Sequence, residues 1–179
     1  MFYPAQAVAA HVTVSPNLQT GRATPLKFRF DVAMSARLGF ELHPADLTPA
    51  ERTFAKTCVE TYKRIRPTVQ QGDLYRLVSP YGNSRASVMY VDESKRHALV
   101  FLWGLVRSQP RDVVPPLKLQ GLSADRSYRI EELNRLDGKD PHSRAVGRTI
   151  SGAALAEVGL PARLHGDYDS AVFELTAAE

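Results

Sequence analysis

Polar and apolar positions alternate at two different periods in the first seventy residues. Val8, Val12 and Val14 share the parity of a buried strand face, while Ala9, His11, Thr13 and Ser15 form a small, polar opposite side. The spacing predicts a strand near residues 7–14, stopped by Pro16 and Asn17, with Gly21 in the loop that follows. Thr24 and Pro25 read as the N-cap and first residue of a helix. That helix places Leu26, Phe30 and Ala33 on one face, and Gly39 is its expected stop. A short strand is expected at residues 40–43, with Gly39, Glu41 and His43 on one parity and Pro44 closing it.

Thr48 and Glu51 have the spacing of a capping box, in which each side chain satisfies the other's backbone amide. The helix behind it carries Phe54, Cys58, Tyr62 and Ile65 as its apolar stripe, and Pro67 is expected to end it. This βαβα order suits a parallel sheet covered by helices. Two strands and two helices cannot cover their own apolar faces, so the segment needs something to pack against.

From Gly72 the pattern changes to short strand-like runs at residues 74–78, 87–91, 98–103, 117–119, 128–133, 148–150 and 171–175. Turn-rich pieces such as Ser79-Pro80-Tyr81-Gly82-Asn83 separate them, a spacing that indicates an antiparallel sandwich. Residues 152–158 are Ala-rich and read as one or two helical turns before Gly159. The expected domain boundary falls near residues 70–72.

Charge narrows the partners. The 23 basic and 19 acidic residues leave a formal +4, with only a short basic cluster at Lys63, Arg64 and Arg66. No basic stripe with interleaved aromatics is present, so nucleic acid is not an expected partner. The single cysteine, Cys58, excludes an intrachain disulfide and sits on an apolar stripe, as an inert buried thiol would. The longest apolar run, residues 98–106, is far short of the ~20 residues of a membrane span. The start of the chain lacks the basic region of a secretory leader, and a cytoplasmic protein is expected.

A family pattern runs through these elements. Tyr3-Pro4, Ala10-His11-Val12, Pro16-Asn17, Gln19-Thr20-Gly21-Arg22 and Thr24-Pro25-Leu26 resemble the segment after the catalytic acid/base in α-galactosidases of glycoside hydrolase family 36. The family usually has Gly where Ala9 stands and His where Leu18 stands. The resemblance continues through Arg37-Leu38-Gly39-Phe40-Glu41-Leu42, Tyr62-Lys63, Ile65-Arg66-Pro67 and Gly72-Asp73. It goes on through Tyr75-Arg76-Leu77 and Met89-Tyr90-Val91 to Gly166-Asp167-Tyr168 with Ser170.

The resemblance implies that residues 1–70 form the last βαβα quarter of a (β/α)8 barrel and residues 71–179 an antiparallel β-sandwich. It implies hydrolysis of terminal α-linked galactose by a retaining mechanism, with no metal or nucleotide cofactor. Both catalytic Asp residues of the family lie upstream of the matched stretch, so no catalytic residue is carried onto this chain. His11, Asn17, Gln19, Arg22 and Glu41 are the candidate substrate-binding residues at the barrel mouth, with the donors and acceptors that a hydroxyl-rich ligand needs. Each also has a plain alternative: a satisfied interior histidine, a loop held by its own side chains, or a Glu41 ion pair with Arg22, Lys27 or Arg29. The α-galactoside and the remaining barrel, or a second copy, are the expected partners.

Other chemistry finds little support. Asp167 and Asp169 could share one strand face, but a turn entering the last strand explains them as well. Tyr75, Tyr81, Tyr90 and Trp103 could stack on a sugar, although alternation makes Tyr90 and Trp103 core residues. There is no nucleophile elbow, phosphate-binding Gly loop or His-Glu-x-x-His motif. The alternative function is a non-enzymatic carbohydrate-binding or oligomerisation module.

Overall fold

The alternation near the N-terminus is the one the chain uses. In the computed structural model, which describes residues 3–105 and 114–178, strand β1 spans Ala9–Thr13, with Val12 buried and His11 exposed. Helix α1 (Leu26–Ala33), strand β2 (Arg37–Glu41) and helix α2 (Pro49–Gln71) follow. The two strands pair in parallel, setting His11 opposite Gly39 and Thr13 opposite Glu41. Val12 enters a core with Phe30, Met34, Cys58 and Ile65, so the helices cover only one face of the pair.

Several local expectations are corrected. The N-cap of α1 is Pro25, without a side-chain cap, and the Thr24 amide instead donates to Ser15 Oγ at 3.0 Å. Helix α1 ends at Ala33, and Gly39 lies inside β2. His43 falls beyond that strand and caps the short turn Pro44–Asp46, accepting from the Ala45 amide at 3.3 Å. The capping box of α2 is present, with Thr48 Oγ1 accepting from the Glu51 amide at 3.3 Å and Glu51 Oε2 accepting from the Thr48 amide at 2.9 Å. Pro67 does not end the helix. It is exposed, while Ile65, Thr68 and Val69 stay buried around it, so packing carries the helix across the missing donor.

Beyond α2 come β3 (Asp73–Val78), β4 (Arg85–Val91), β5 (His97–Gly104), β6 (Ser127–Leu133), β7 (Thr149–Ser151), helix α3 (Gly152–Glu157) and β8 (Ser170–Ala177). These strands form one antiparallel sheet in the order β3-β4-β5-β8-β6-β7. The expected run at residues 117–119 is a single bridge from Leu117 to Leu160 and not a strand of the sheet. Pro115 and Pro116 just before it lack the amides a ladder requires. Among the described residues the second layer of the expected sandwich is therefore irregular chain and helix, with Leu117, Leu119, Leu155 and Leu160 covering one sheet face.

The other sheet face meets the helices. Tyr90, Leu99, Phe101 and Val172 join the core that holds Phe30, Cys58 and Ile65, while Val100 and Leu102 of the same central strand point into the opposite core. Each such side chain contributes about 1.5–3 kcal/mol on burial. Polar contacts fix the approach. Arg64 of α2 binds both carboxylate oxygens of Glu174, and His97 Nε2 lies 2.6 Å from Glu174 Oε1. The hydroxyls of Tyr62 and Tyr90 donate to the carbonyls of Ala36 and Ser35 at 2.7 and 2.6 Å. Val106, the last residue of the expected apolar run, and the outer domain limits at residues 1 and 179 lie outside the described residues.

Candidate functional site

The open face of the β1–β2 pair carries the first candidates. His11 Nδ1 lies 2.9 Å from Glu41 Oε1, each reaching diagonally across the parallel ladder from positions two residues out of register. Glu41 therefore pairs with His11, and the expected ion pair with Arg22, Lys27 or Arg29 is corrected. Both residues are exposed.

The loop after β1 is organised by Asn17. Its Oδ1 accepts from the amides of Gln19 and Thr20 at 3.1 and 3.0 Å and from the Thr20 hydroxyl at 3.1 Å. Its own amide donates to the Arg22 carbonyl at 2.9 Å, closing the loop. Asn17 thus builds the loop through its acceptor oxygen, and its side-chain amide faces Thr13 Oγ1 at 3.5 Å. Gln19 is exposed, and Arg22 lays its guanidinium over the Tyr168 ring, 5.7 Å from the centroid. His11, Asn17, Gln19 and Arg22 line one concavity of about 320 Å³, floored by Phe28 and Arg29. Burial lowers the pKa of Arg29, whose guanidinium donates to the Thr13 carbonyl and ties α1 to the end of β1. The arrangement offers hydrogen-bond donors and acceptors around an open floor, with no carboxylate among the residues that line it.

A second polar cluster escapes sequence reasoning. His142 Nδ1 is 2.6 Å from Glu132 Oε1, and its Nε2 is 3.1 Å from both oxygens of Asp169. Burial alone would lower the pKa of His142, but hydrogen bonds to Asp169 and Glu132 and the charges of both carboxylates hold it at about 9. Burial raises Asp169, yet His142 and the amides of His165 and Ser170 bring it down to about 2. Asp169 is thus the turn-forming residue that the plain reading expected, and the turn enters β8. The only sequence signal for the cluster was Asp167 and Asp169 themselves. Cys58 is fully buried, and burial pushes its thiol pKa up, as expected of an inert thiol. Tyr90 is core and Tyr81 is exposed. Among the described residues no group of three or more His, Cys, Asp or Glu side chains could hold a metal, and no helix is long and apolar enough to cross a membrane.

Two family models match the chain: Melibiase over residues 1–72 and the glycosyl hydrolase family 36 C-terminal domain over residues 85–175. Probable alpha-galactosidase G of Emericella nidulans is 35% identical over 169 residues, covering 94% of this chain and 21% of that protein. Alpha-galactosidase AgaA of Geobacillus stearothermophilus is 37% identical over 140 residues, covering 78% of this chain and 19% of that protein. The crystal structure of alpha-galactosidase AgaB from Geobacillus stearothermophilus superposes with a TM-score of 0.85 at 33% identity, over 98% of this chain and 22% of that one. A parallel βαβα unit leading into an antiparallel sheet, matched in both parts, defines a glycosidase C-terminal region. The chain belongs to glycoside hydrolase family 36. It spans about a fifth of the length of the curated relatives it matches.

Proposed function

We propose that the chain is the C-terminal part of a retaining α-galactosidase. In this reading residues 1–70 are the last βαβα quarter of a (β/α)8 catalytic barrel, and residues 71–179 are the antiparallel domain beside it. The observation that carries the reading is the one-sided packing of β1 and β2. Helices cover one face, while the face bearing His11, Thr13 and Glu41 is open. In a closed barrel that face turns toward the axis, and the loops after the strands form the mouth.

His11, Asn17, Gln19, Arg22 and Glu41 would then supply one side of the mouth and hold the hydroxyls of a terminal α-linked galactose. A retaining glycosidase also needs two carboxylates about 5–5.5 Å apart. In the family both acids lie upstream of the stretch this chain matches, so the reacting acids are assigned to the rest of the barrel, whether on the same polypeptide or a partner. Variants of AgaA have been solved in complex with stachyose and with raffinose, which makes α-galactosides of that kind the substrate class for the complete enzyme. The single buried cysteine suits a cytoplasmic setting.

The test is turnover of a chromogenic α-galactoside. The purified chain alone is expected to give none. Mixed with the upstream portion of a family relative, it should restore activity, and His11→Ala should lower it. Turnover by the chain alone would overturn the placement of the reacting acids, and a failure to associate or restore activity would remove the barrel assignment.

A further inference from the structure

The N-terminus of α1 and the loops before β7 and β8 enclose a second concavity of about 450 Å³, within the size range of small-molecule sites. Phe28, Leu136 and Tyr168 are among its apolar lining residues, and Arg135, Asp140 and His142 among its polar ones. Leu136 is 42% exposed here, an apolar side chain held at the surface of a loop. Arg135 and Asp140 are exposed, and among the described residues no hydrogen bond or ion pair engages either side chain. His142, by contrast, is locked between Glu132 and Asp169. Phe28 lines both this concavity and the one beside His11, and its ring meets Tyr168 edge-on at 5.5 Å.

The mixture of chemistries selects the ligand. Basic Lys27, Arg135, Lys139 and His142 line it together with acidic Asp140, Asp167 and Asp169, so neither an anion nor a cation finds a site of one sign. A neutral pyranose has an apolar C–H face to bury on Tyr168 or Leu136 and a rim of hydroxyls that both donate and accept. The geometry points to this concavity as a binding site for a neutral pyranose unit of an oligosaccharide, with Tyr168 as its platform and Arg135 and Asp140 as its hydroxyl partners. It rests on the carbohydrate reading above and adds a site to it.

Raffinose titrated into the full 179-residue chain, followed through the histidine ring resonances, tests the site. Saturable shifts at His142 and His165 are expected, with binding about tenfold weaker in Tyr168→Ala through loss of the aromatic platform. Asp140→Ala should weaken it as well, and because that exposed side chain has no hydrogen bond or ion pair among the described residues, the variant stays informative if Tyr168→Ala fails to fold. Shifts confined to His11 would overturn this site while leaving the proposed function standing. Shifts at no histidine, up to the solubility of raffinose, would also overturn it, and the function would then be judged by turnover on mixing.

Discussion

The ring of His11 fills the space in which residue 39 would carry a side chain. A Cβ at Gly39 would fall 2.4 Å from His11 Cδ2 and 3.0 Å from Nε2. Gly39 is therefore required for room, in an ordinary strand, and its absence of a side chain is what lets His11 lie across the ladder to reach Glu41.

Gly39→Ala should displace the His11 ring and break its contact with Glu41. The pair is exposed, so the change should cost no more than about 1 kcal/mol of stability. The His11 ring resonances should move while the melting temperature barely does. An unmoved ring in a crystal structure of the variant would contradict the crowding argument.

Asp31 is expected to be the most costly single polar residue at the junction of helix and sheet. It is fully buried, 2.5 Å from Lys27 Nζ, and accepts from Ser170 Oγ at 2.7 Å and Asn134 Nδ2 at 2.8 Å. Lys27 also donates to the Ser170 carbonyl at 2.7 Å. Asp31→Ala strands a buried ammonium and should destabilise by about 3–5 kcal/mol, whereas Lys27→Met combined with Asp31→Leu should cost less than that single change. Urea denaturation of the three proteins decides it, and a double variant worse than the single one would refute the charge argument.

Stability should fall on both sides of a mildly acidic optimum. His142 stands at about 9 against an ordinary 6.5, so its contribution is whole below pH 6.5 and fades as pH rises through 9. Asp169 and Glu174 both stand at about 2, against ordinary values of 3.8 and 4.5. In Glu174 burial works upward, and His97 and Arg64 more than offset it. Their contributions are whole above those ordinary values and fade as pH falls toward 2. Melting temperature should thus be highest between pH 4.5 and 6.5. His142→Gln should flatten the alkaline decline, and an unchanged alkaline limb would assign that decline elsewhere.

The sequence legibility divides along the range of the interactions. The parity of β1 and the Thr48–Glu51 box depend on residues a few positions apart, and both were readable. Pro67 and Gly39 depart from expectation because their local preferences are overridden: α2 is held by its buried stripe against the sheet, and Gly39 answers to His11 on the neighbouring strand. His11, Asn17, Gln19 and Arg22 lie on one strand and the loop after it, so their common concavity needs only short-range chain geometry. The partners of His142 lie on β6 and before β8, strands that are neighbours only in the folded sheet, and nothing near residue 142 announces them.

Gly72 closes α2 by donating to the Thr68 carbonyl at 3.0 Å, and a Cβ there would fall 2.5 Å from that oxygen and 2.7 Å from the Val91 oxygen. Both obstacles are main chain, so neither can swing aside as a side chain would. The junction between the two family-matched regions therefore admits glycine alone at this position, and swapping the C-terminal portion between relatives here would have to preserve a bare backbone.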